Sequence, residues 1–119
     1  MVTINNIEDC KRIVIKVGSS LVTAGSNNID NKFLDSISSD IKYLHDQNKE
    51  VIIVSSGAVA LGNINKNKKK LSLSESQAAS SVGQIKLING WENALKNKGI
   101  EIAQIPVSYT HLTLPTIVG

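Results

Sequence analysis

The stretch that decides the fold is VIIVSSGAVALG, residues 51–62. It begins with a run of β-branched apolar residues, which is typical of a strand buried on both faces of a parallel sheet. Ser55, Ser56 and Gly57 follow, and the small apolar residues after them can begin a helix. Such a strand exit exposes backbone N–H groups at the carboxyl edge of a sheet, where open α/β sheets bind ligands and helix N-termini favour anions. On its own, the stretch predicts a ligand-binding exit and a plain buried strand with a serine cap about equally well.

A second strand exit of this kind lies earlier in the chain, where residues 12–20 read RIVIKVGSS. Its apolar run again has the pattern of a strand buried on both faces. Lys16, near the end of this predicted strand, is suited to holding phosphate, because its ammonium supplies a point charge while Gly18 opens the backbone for N–H contacts. The pattern is not a P-loop, since the second glycine and the Gly-Lys-Ser/Thr ending are missing. Taken alone, it favours an edge lysine that extends to water. The second Gly/Ser-rich exit in the same sheet makes the phosphate interpretation stronger.

Between these two strands, apolar residues recur at helical spacing. The pattern predicts an amphipathic helix over about residues 32–47, with Asp30 as its N-cap. Its apolar stripe consists of Phe33, Ile37, Ile41 and Leu44. His45 lies beside the stripe with no second ligand-type residue spaced to join it, so we interpret it as a structural or solvated histidine. The order strand, helix, strand predicts a βαβ unit with a right-handed crossover.

A second helix is predicted after a basic loop. Ser74 and Gln77 form a capping-box pattern at its start, and Gly99 is placed to end it. Its predicted apolar face consists of Ala78, Val82, Ile85, Ile88, Trp91 and Leu95. Gly83 in this helix costs about 1 kcal/mol relative to alanine, which indicates close packing or the approach of a partner. Residues 100–105 then predict a third strand, which completes a β-α-β-α-β order.

Composition and charge exclude several classes of protein. The 119 residues are 41% hydrophobic and 19% charged, an ordinary globular composition for at most one domain. The net charge is +3, but without the cluster formed by Lys66, Lys68, Lys69 and Lys70 the chain is slightly acidic, so it is not a general nucleic-acid-coating protein. The single cysteine, Cys10, excludes an internal disulfide and a cysteine-based zinc site, and it fits a reducing cytoplasm. No run approaches the roughly 18 apolar residues of a membrane span, and residues 1–12 lack the apolar segment of a signal peptide.

The last part of the chain reads differently from the rest. Residues 107–116, VSYTHLTLPT, match at every position one reading frame of a transposon-derived sequencing adapter. We therefore expect residues 1–105 to be the amino-terminal part of a domain and residues 106–119 to be an adapter-derived tail that is not native. In that interpretation Tyr109 and His111 have no functional role. The alternative is a genuine tail that resembles adapter sequence by chance.

Three motifs occur in order along the chain. They are KVGSS at residues 16–20, SSGA at residues 55–58 and QAASSVGQ at residues 77–84. With these motifs the chain resembles the glutamate 5-kinases, or γ-glutamyl kinases, of the amino-acid kinase family, over residues 11–105. One departure is Ser76, where the family often has lysine. The resemblance implies an α/β fold, a three-layer αβα sandwich with a mainly parallel sheet, of which this amino-terminal fragment holds only the first half.

The resemblance also implies an activity for the parent protein, namely ATP-dependent phosphorylation of the side-chain carboxylate of L-glutamate. The product is glutamyl 5-phosphate, in the first step of proline biosynthesis. By match to the family motifs, Lys16 binds the ATP phosphates as the catalytic lysine, and Gly18 and Ser19 contribute backbone or hydroxyl contacts to ATP. Ser56 holds the glutamate substrate, and Gly57 lets it lie close to the backbone. Mg²⁺ is expected with ATP, but its ligands and the family's later substrate motifs are absent from this sequence, so we expect the fragment to be inactive alone.

Two other functions stay open. The first is another amino-acid kinase acting on aspartate, acetylglutamate, carbamate or a nucleotide, although those relatives favour Gly-Gly where this chain has Gly18 and Ser19. The second is a non-enzymatic α/β module that binds anions through the loop from Lys66 to Lys70. For the parent protein we expect a cytoplasmic homo-oligomer that takes L-glutamate and ATP. We expect no contact of this portion with a membrane or a nucleic acid.

Overall fold

The fold is organised around two parallel strands and the helices that pack on one of their faces. The computed structural model describes residues 9–63, 70–108 and 113–118. Its elements are β1 (Arg12–Val17), α1 (Ser19–Thr23), α2 (Asn31–Asp46), β2 (Glu50–Ser55), α3 (Ala58–Gly62), α4 (Leu73–Lys96), β3 (Ala103–Ser108) and β4 (Thr113–Val118). No helix in these described ranges combines the length and the apolar character that crossing a membrane requires.

The first half of the chain forms the predicted strand-helix-strand unit. Strands β1 and β2 pair in parallel, with a register that runs from Arg12 opposite Glu50 to Val17 opposite Ser55. Both strands are six residues long, so they end at the same level of the sheet. Helix α2 connects them, because neighbouring parallel strands need a long crossover. This arrangement confirms the βαβ prediction and places both strand exits at one edge.

Helix α2 begins and packs as its sequence predicts. The side chain of Asp30 accepts a hydrogen bond from the backbone N–H of Phe33 at 3.2 Å, which caps the helix. Of the predicted stripe, Ile41 is fully buried and the other three residues are half-buried against the core, while Leu34, outside the predicted stripe, is also fully buried. His45 is exposed in the last turn, in agreement with its interpretation as a solvated residue.

Helix α4 begins earlier and presents a different face than the sequence predicted. Its N-cap is Ser72, whose hydroxyl and the carboxylate of Glu75 form the capping box, so the predicted box at residues 74–77 is wrong by two residues. Val82 and Ile85, predicted to be buried, are 43% and 66% exposed. The buried row consists of Ala79, Ser80, Gly83, Leu87, Trp91 and Leu95. The reason is that the small residues of α4 contact α3, which rotates the glycine-containing row inward.

The contact between α3 and α4 is a backbone-to-backbone approach. A Cβ atom added to Gly83 would overlap the carbonyl oxygen of Ala58, and one added to Gly62 would overlap the carbonyl oxygen of Ala79. Two helices can approach this closely only where neither carries a side chain at the crossing. The prediction that Gly83 marks a position of close packing is therefore confirmed.

The second half of the sheet contains one strand of opposite direction. The strand order is β1-β2-β4-β3, and β4 is antiparallel to both β2 and β3. Three of the four strands therefore run in the same direction. Strand β3 begins at Ala103, later than the predicted start at residue 100. The pairing of β4 does not test where residues 106–119 come from, so an adapter-derived tail stays a prediction.

The described chain has one helical layer. The face of β1 and β2 that carries Val17, Val51 and Ile53 is buried beneath α2 and α4. The opposite face is open, and Val14 on it is 55% exposed, so the prediction that β1 is buried on both faces is wrong for this chain. Burial of both faces requires helices on each side of the sheet. The fold is an α/β fold of the amino-acid kinase type, and the described residues form the helical layer on one face of its sheet.

Candidate functional site

The two strand exits lie side by side at one edge of the sheet. Val17, the last residue of β1, is paired with Ser55, the last residue of β2. Beyond the strands, the backbone N–H of Ser56 donates to the carbonyl oxygen of Val17 at 2.9 Å. Each exit then enters a short helix, with Gly18 as the N-cap of α1 and Gly57 as the N-cap of α3. The structure therefore brings together the two motifs that the sequence singled out.

Gly57 stands where the two exits touch. Its backbone has φ 121° and ψ −5°, a conformation that residues with a side chain rarely adopt. A Cβ atom at this position would lie 3.5 Å from Cγ1 of Val22 and 3.8 Å from Cα of Ser19, which is ordinary contact. Backbone conformation, and not lack of space, therefore requires glycine here. These distances also show that the first turn of α1 lies against the second exit.

The two serines of the second exit have different environments. Ser55 is fully buried, and its hydroxyl accepts a hydrogen bond from the indole N–H of Trp91 at 3.0 Å. Ser56 is half-buried, and within the described part of the chain its hydroxyl has no hydrogen-bond partner. Ser56 therefore has a hydroxyl available to a ligand, whereas Ser55 is part of the core.

The residues of the first exit are open to solvent. Lys16, Gly18 and Ser19 are all exposed, and no atom lies within 4 Å of where a Cβ of Gly18 would stand. Lys16 pairs with Val54, one residue before the strands end, and alternation along β1 puts its side chain on the open face of the sheet. No carboxylate in the described residues forms an ion pair with it. Its flexible stem leaves the ammonium free to reach an anion at the sheet edge.

Residues 11–115 match the sequence profile of the amino acid kinase family. The chain belongs to this family. Among its curated relatives, the glutamate 5-kinase of Pelagibacter ubique strain HTCC1062 is 45% identical over 101 residues, which are 83% of this chain and 27% of that protein. The glutamate 5-kinase of Brucella abortus strain S19 is 40% identical over 107 residues, 88% of this chain and 28% of that protein. The glutamate 5-kinase of Acinetobacter baumannii strain ATCC 17978 is 37% identical over 108 residues, with shares of 89% and 29%.

This amino acid kinase chain therefore spans less than a third of the length of the relatives that it matches. The two exits are the part of a site that the chain contains. Acidic groups for a metal ion are not gathered there. Among residues 9–63 and 70–105, no three His, Cys, Asp or Glu side chains are close enough together to hold a metal ion. We assign no Mg²⁺ ligand among the described residues.

Two concavities formed by described residues lie away from the two exits. One of about 610 Å³ is lined by Cys10, Arg12, Asn48 and Glu50, at the edge where β1 and β2 begin. Another of about 510 Å³ is lined by Glu92, Lys96 and Glu101 near the end of α4. Ligands of open α/β sheets bind at the carboxyl ends of the strands, and only the exits satisfy that condition.

Two side-chain hydrogen bonds that hold the site in place were not predicted from the sequence. Trp91 was interpreted as a core residue, but its indole also bonds the end of β2. The side-chain amide of Asn27 donates to the carbonyl oxygen of Ala60 at 2.8 Å and ties the loop after α1 to α3. A signal for the first was present, since Ser55 continues the alternation of buried positions Val51 and Ile53 and needs a buried partner. Asn27 stands in a turn-rich segment that carries no such signal.

Proposed function

We propose that the full protein carrying this chain transfers the γ-phosphoryl group of ATP to the side-chain carboxylate of L-glutamate. A carboxylate oxygen attacks the γ-phosphorus, the bond from the γ-phosphorus to the bridging oxygen of the β-phosphate breaks, and ADP leaves with that oxygen. The observation that carries the proposal is the meeting of two Gly/Ser-rich exits at one sheet edge in a member of the amino acid kinase family. The relatives named glutamate 5-kinase favour glutamate as the acceptor.

We assign the phosphate groups of ATP to the first exit. Lys16 is an exposed cation without an ion-pair partner in the described residues, and its charge offsets the negative charge that accumulates on the transferred group. Gly18 and Ser19 contribute backbone N–H groups of the first turn of α1 and a hydroxyl. Mg²⁺ bound with ATP would neutralise further phosphate charge, with ligands outside the described residues.

We assign the glutamate to the second exit. The hydroxyl of Ser56 is available for a hydrogen bond, and the absence of a side chain at Gly57 lets a substrate lie against the backbone. The two substrates would then meet across the contact between Ser19 and Gly57. Phosphoryl transfer depends mainly on positioning and charge stabilisation, so two adjacent rigid exits suit it.

We further propose the cellular setting that the family resemblance implies. The product, glutamyl 5-phosphate, would enter proline biosynthesis, and the full protein would be a cytoplasmic homo-oligomer. We also propose that residues 1–105 are the native part of this chain and that residues 106–119 derive from adapter DNA. The basic loop that could instead bind anions, from Lys66 to Lys70, lies outside the described residues except for Lys70.

The test begins with the source DNA. Sequencing it across codon 106 yields the gene for the full protein and shows whether residues 106–119 are encoded. The purified full protein is then assayed for ADP release with ATP and one acceptor at a time: L-glutamate, aspartate, acetylglutamate or carbamate. We expect glutamate to give the highest kcat/KM. A higher value with another acceptor would replace glutamate by that substrate.

The same assay tests the role of Lys16. Lys16→Ala is expected to lower kcat by about 10²-fold or more, because it removes a charge aimed at the transferred group. Lys11→Ala is the matched control, an exposed lysine immediately before the start of the same strand, and it should keep wild-type turnover. Equal turnover of the Lys16 variant and the control would refute the assignment.

A further inference from the structure

A buried hydrogen bond connects α4 to the end of β2. The indole N–H of Trp91 donates to Oγ of Ser55 at 3.0 Å, and both residues are 0% exposed. An indole nitrogen is only a donor, so the serine oxygen must be the acceptor. The hydroxyl proton of Ser55 is then directed elsewhere, and Ser55 donates it to the carbonyl oxygen of Ser56 at 3.3 Å. The result is a directed relay from Trp91 through Ser55 to Ser56.

The backbone of Ser56 forms hydrogen bonds on two sides, one with this relay and one with β1. The N–H of Ser56 donates to the carbonyl oxygen of Val17 at 2.9 Å, and its carbonyl accepts from Ser55. Both backbone polar groups of Ser56 are therefore held. Because the peptide unit is planar, a fixed carbonyl of Ser56 also fixes the direction of the N–H of Gly57.

Helix α4 holds the following segment as well. Gly83 lies two turns before Trp91 on the same row of α4, and it contacts the carbonyl of Ala58 without an intervening side chain. The segment from Ser55 to Ala58 is thus attached to α4 at both ends. Ser56 and Gly57, between these attachments, are the residues to which the proposed function gives the glutamate.

We propose that Trp91 is a positioning residue for the glutamate-binding segment. Its indole N–H sets the orientation of Ser56 and Gly57 through Ser55, without contact to either substrate. The inference rests on the proposed function and adds a residue to it. Because the relay ends at the second exit, it should affect glutamate and leave the ATP-binding first exit unchanged.

Four variants of the full protein test the relay. Trp91→Phe keeps an aromatic ring but removes the N–H, and Ser55→Ala removes the hydroxyl. Each is expected to raise the KM for glutamate about fivefold while the KM for ATP changes by less than about twofold. The double variant should be no worse than the worse single variant, because both changes interrupt one relay. Ser55→Thr keeps a hydroxyl at this position, so its KM for glutamate should equal that of the wild-type protein.

The control for lost packing is Leu95→Val, one turn further along the same buried row of α4. It should lower the melting temperature and leave both KM values unchanged. If Trp91→Phe and Ser55→Ala behave like this control, or raise both KM values equally, Trp91 is structural only and the inference is overturned. If the wild-type protein shows no glutamate-dependent turnover, the proposed function fails first and the positioning role fails with it.

Discussion

Neighbouring serines at the end of β2 show how much a residue's role depends on the face it occupies. Ser55 belongs to the face beneath α4 and is tied to Trp91, while the hydroxyl of Ser56 has no partner in the described residues. The motif in the sequence allowed Ser56 to be assigned to substrate. The role of Ser55 could not be predicted, because it depends on which side of the sheet α4 covers and on the rotation of that helix.

Gly57 is the residue whose backbone conformation most constrains the site. Its φ of 121° is unfavourable for any side chain, so Gly57→Ala is expected to lower the free energy of unfolding by about 1–3 kcal/mol. The strain can be relieved only by moving the second exit, so the KM for glutamate should also rise. Chemical denaturation and steady-state kinetics of the full protein measure the two effects.

Gly18→Ala is the stability control for this prediction. Gly18 has φ −75° and open space around it, so alanine fits without strain. Its free energy of unfolding should stay within about 0.5 kcal/mol of wild type or rise slightly. If Gly57→Ala and Gly18→Ala lower the free energy of unfolding equally, the backbone conformation at Gly57 is not what requires glycine there.

At the scale of elements, local sequence predicted the kind and order of the helices and strands better than their contacts. Helix α2 has one clear apolar stripe and a capping aspartate, so its bounds and the side that packs on the core followed from spacing, although the burial of Leu34 and Ser38 did not. Helix α4 has apolar residues on several sides, and its predicted apolar face shares only Trp91 and Leu95 with the buried row, which contains Gly83. Close approach to α3 favours the row of α4 with the smallest residues. This tertiary contact, and not the number of apolar residues on each side, decides which row of the helix is buried.

The contact between α3 and α4 gives a prediction at this scale. Gly83→Ala should lower the free energy of unfolding by about 1–3 kcal/mol, because the new methyl group overlaps backbone at Ala58. Gly90→Ala is the matched control in the same helix, with the same gain of about 1 kcal/mol in helix propensity. A methyl group at Gly90 meets the tip of the Ile29 side chain at 2.5 Å, which can rotate away.

We therefore expect Gly83→Ala to be clearly less stable than Gly90→Ala in chemical denaturation. The displacement of α3 should also weaken glutamate binding in the Gly83 variant only. Equal stability of the two variants would contradict the close backbone contact on which the position of the second exit depends.

At the scale of the whole molecule, the family resemblance implies a sheet with helices on both faces, and the described residues contain the helices of one face. Val14 and Lys16 lie on the uncovered face. The third strand was predicted in the order of the chain but not in the order of the sheet, where β4 lies between β2 and β3. The position of β4 could not be predicted, because its residues lie in the segment that the sequence indicates to be a non-native tail.

In the proposed function, each exit binds a different substrate: the first binds the phosphates of ATP and the second binds glutamate. Their adjacency follows from the parallel register and from the short distance between Gly57 and the first turn of α1. Separate binding roles at adjacent positions predict separate kinetic effects. A single kinetic comparison on the full protein can therefore test the claim.

That measurement is the pair of KM values for Ser56→Ala, with Ser39→Ala, an exposed serine on α2, as the control. We expect Ser56→Ala to raise the KM for glutamate about tenfold, because a hydrogen bond to a charged carboxylate is lost, and to leave the KM for ATP within about twofold. The control should leave both values unchanged. A raised KM for ATP with an unchanged KM for glutamate would contradict the division of the two exits.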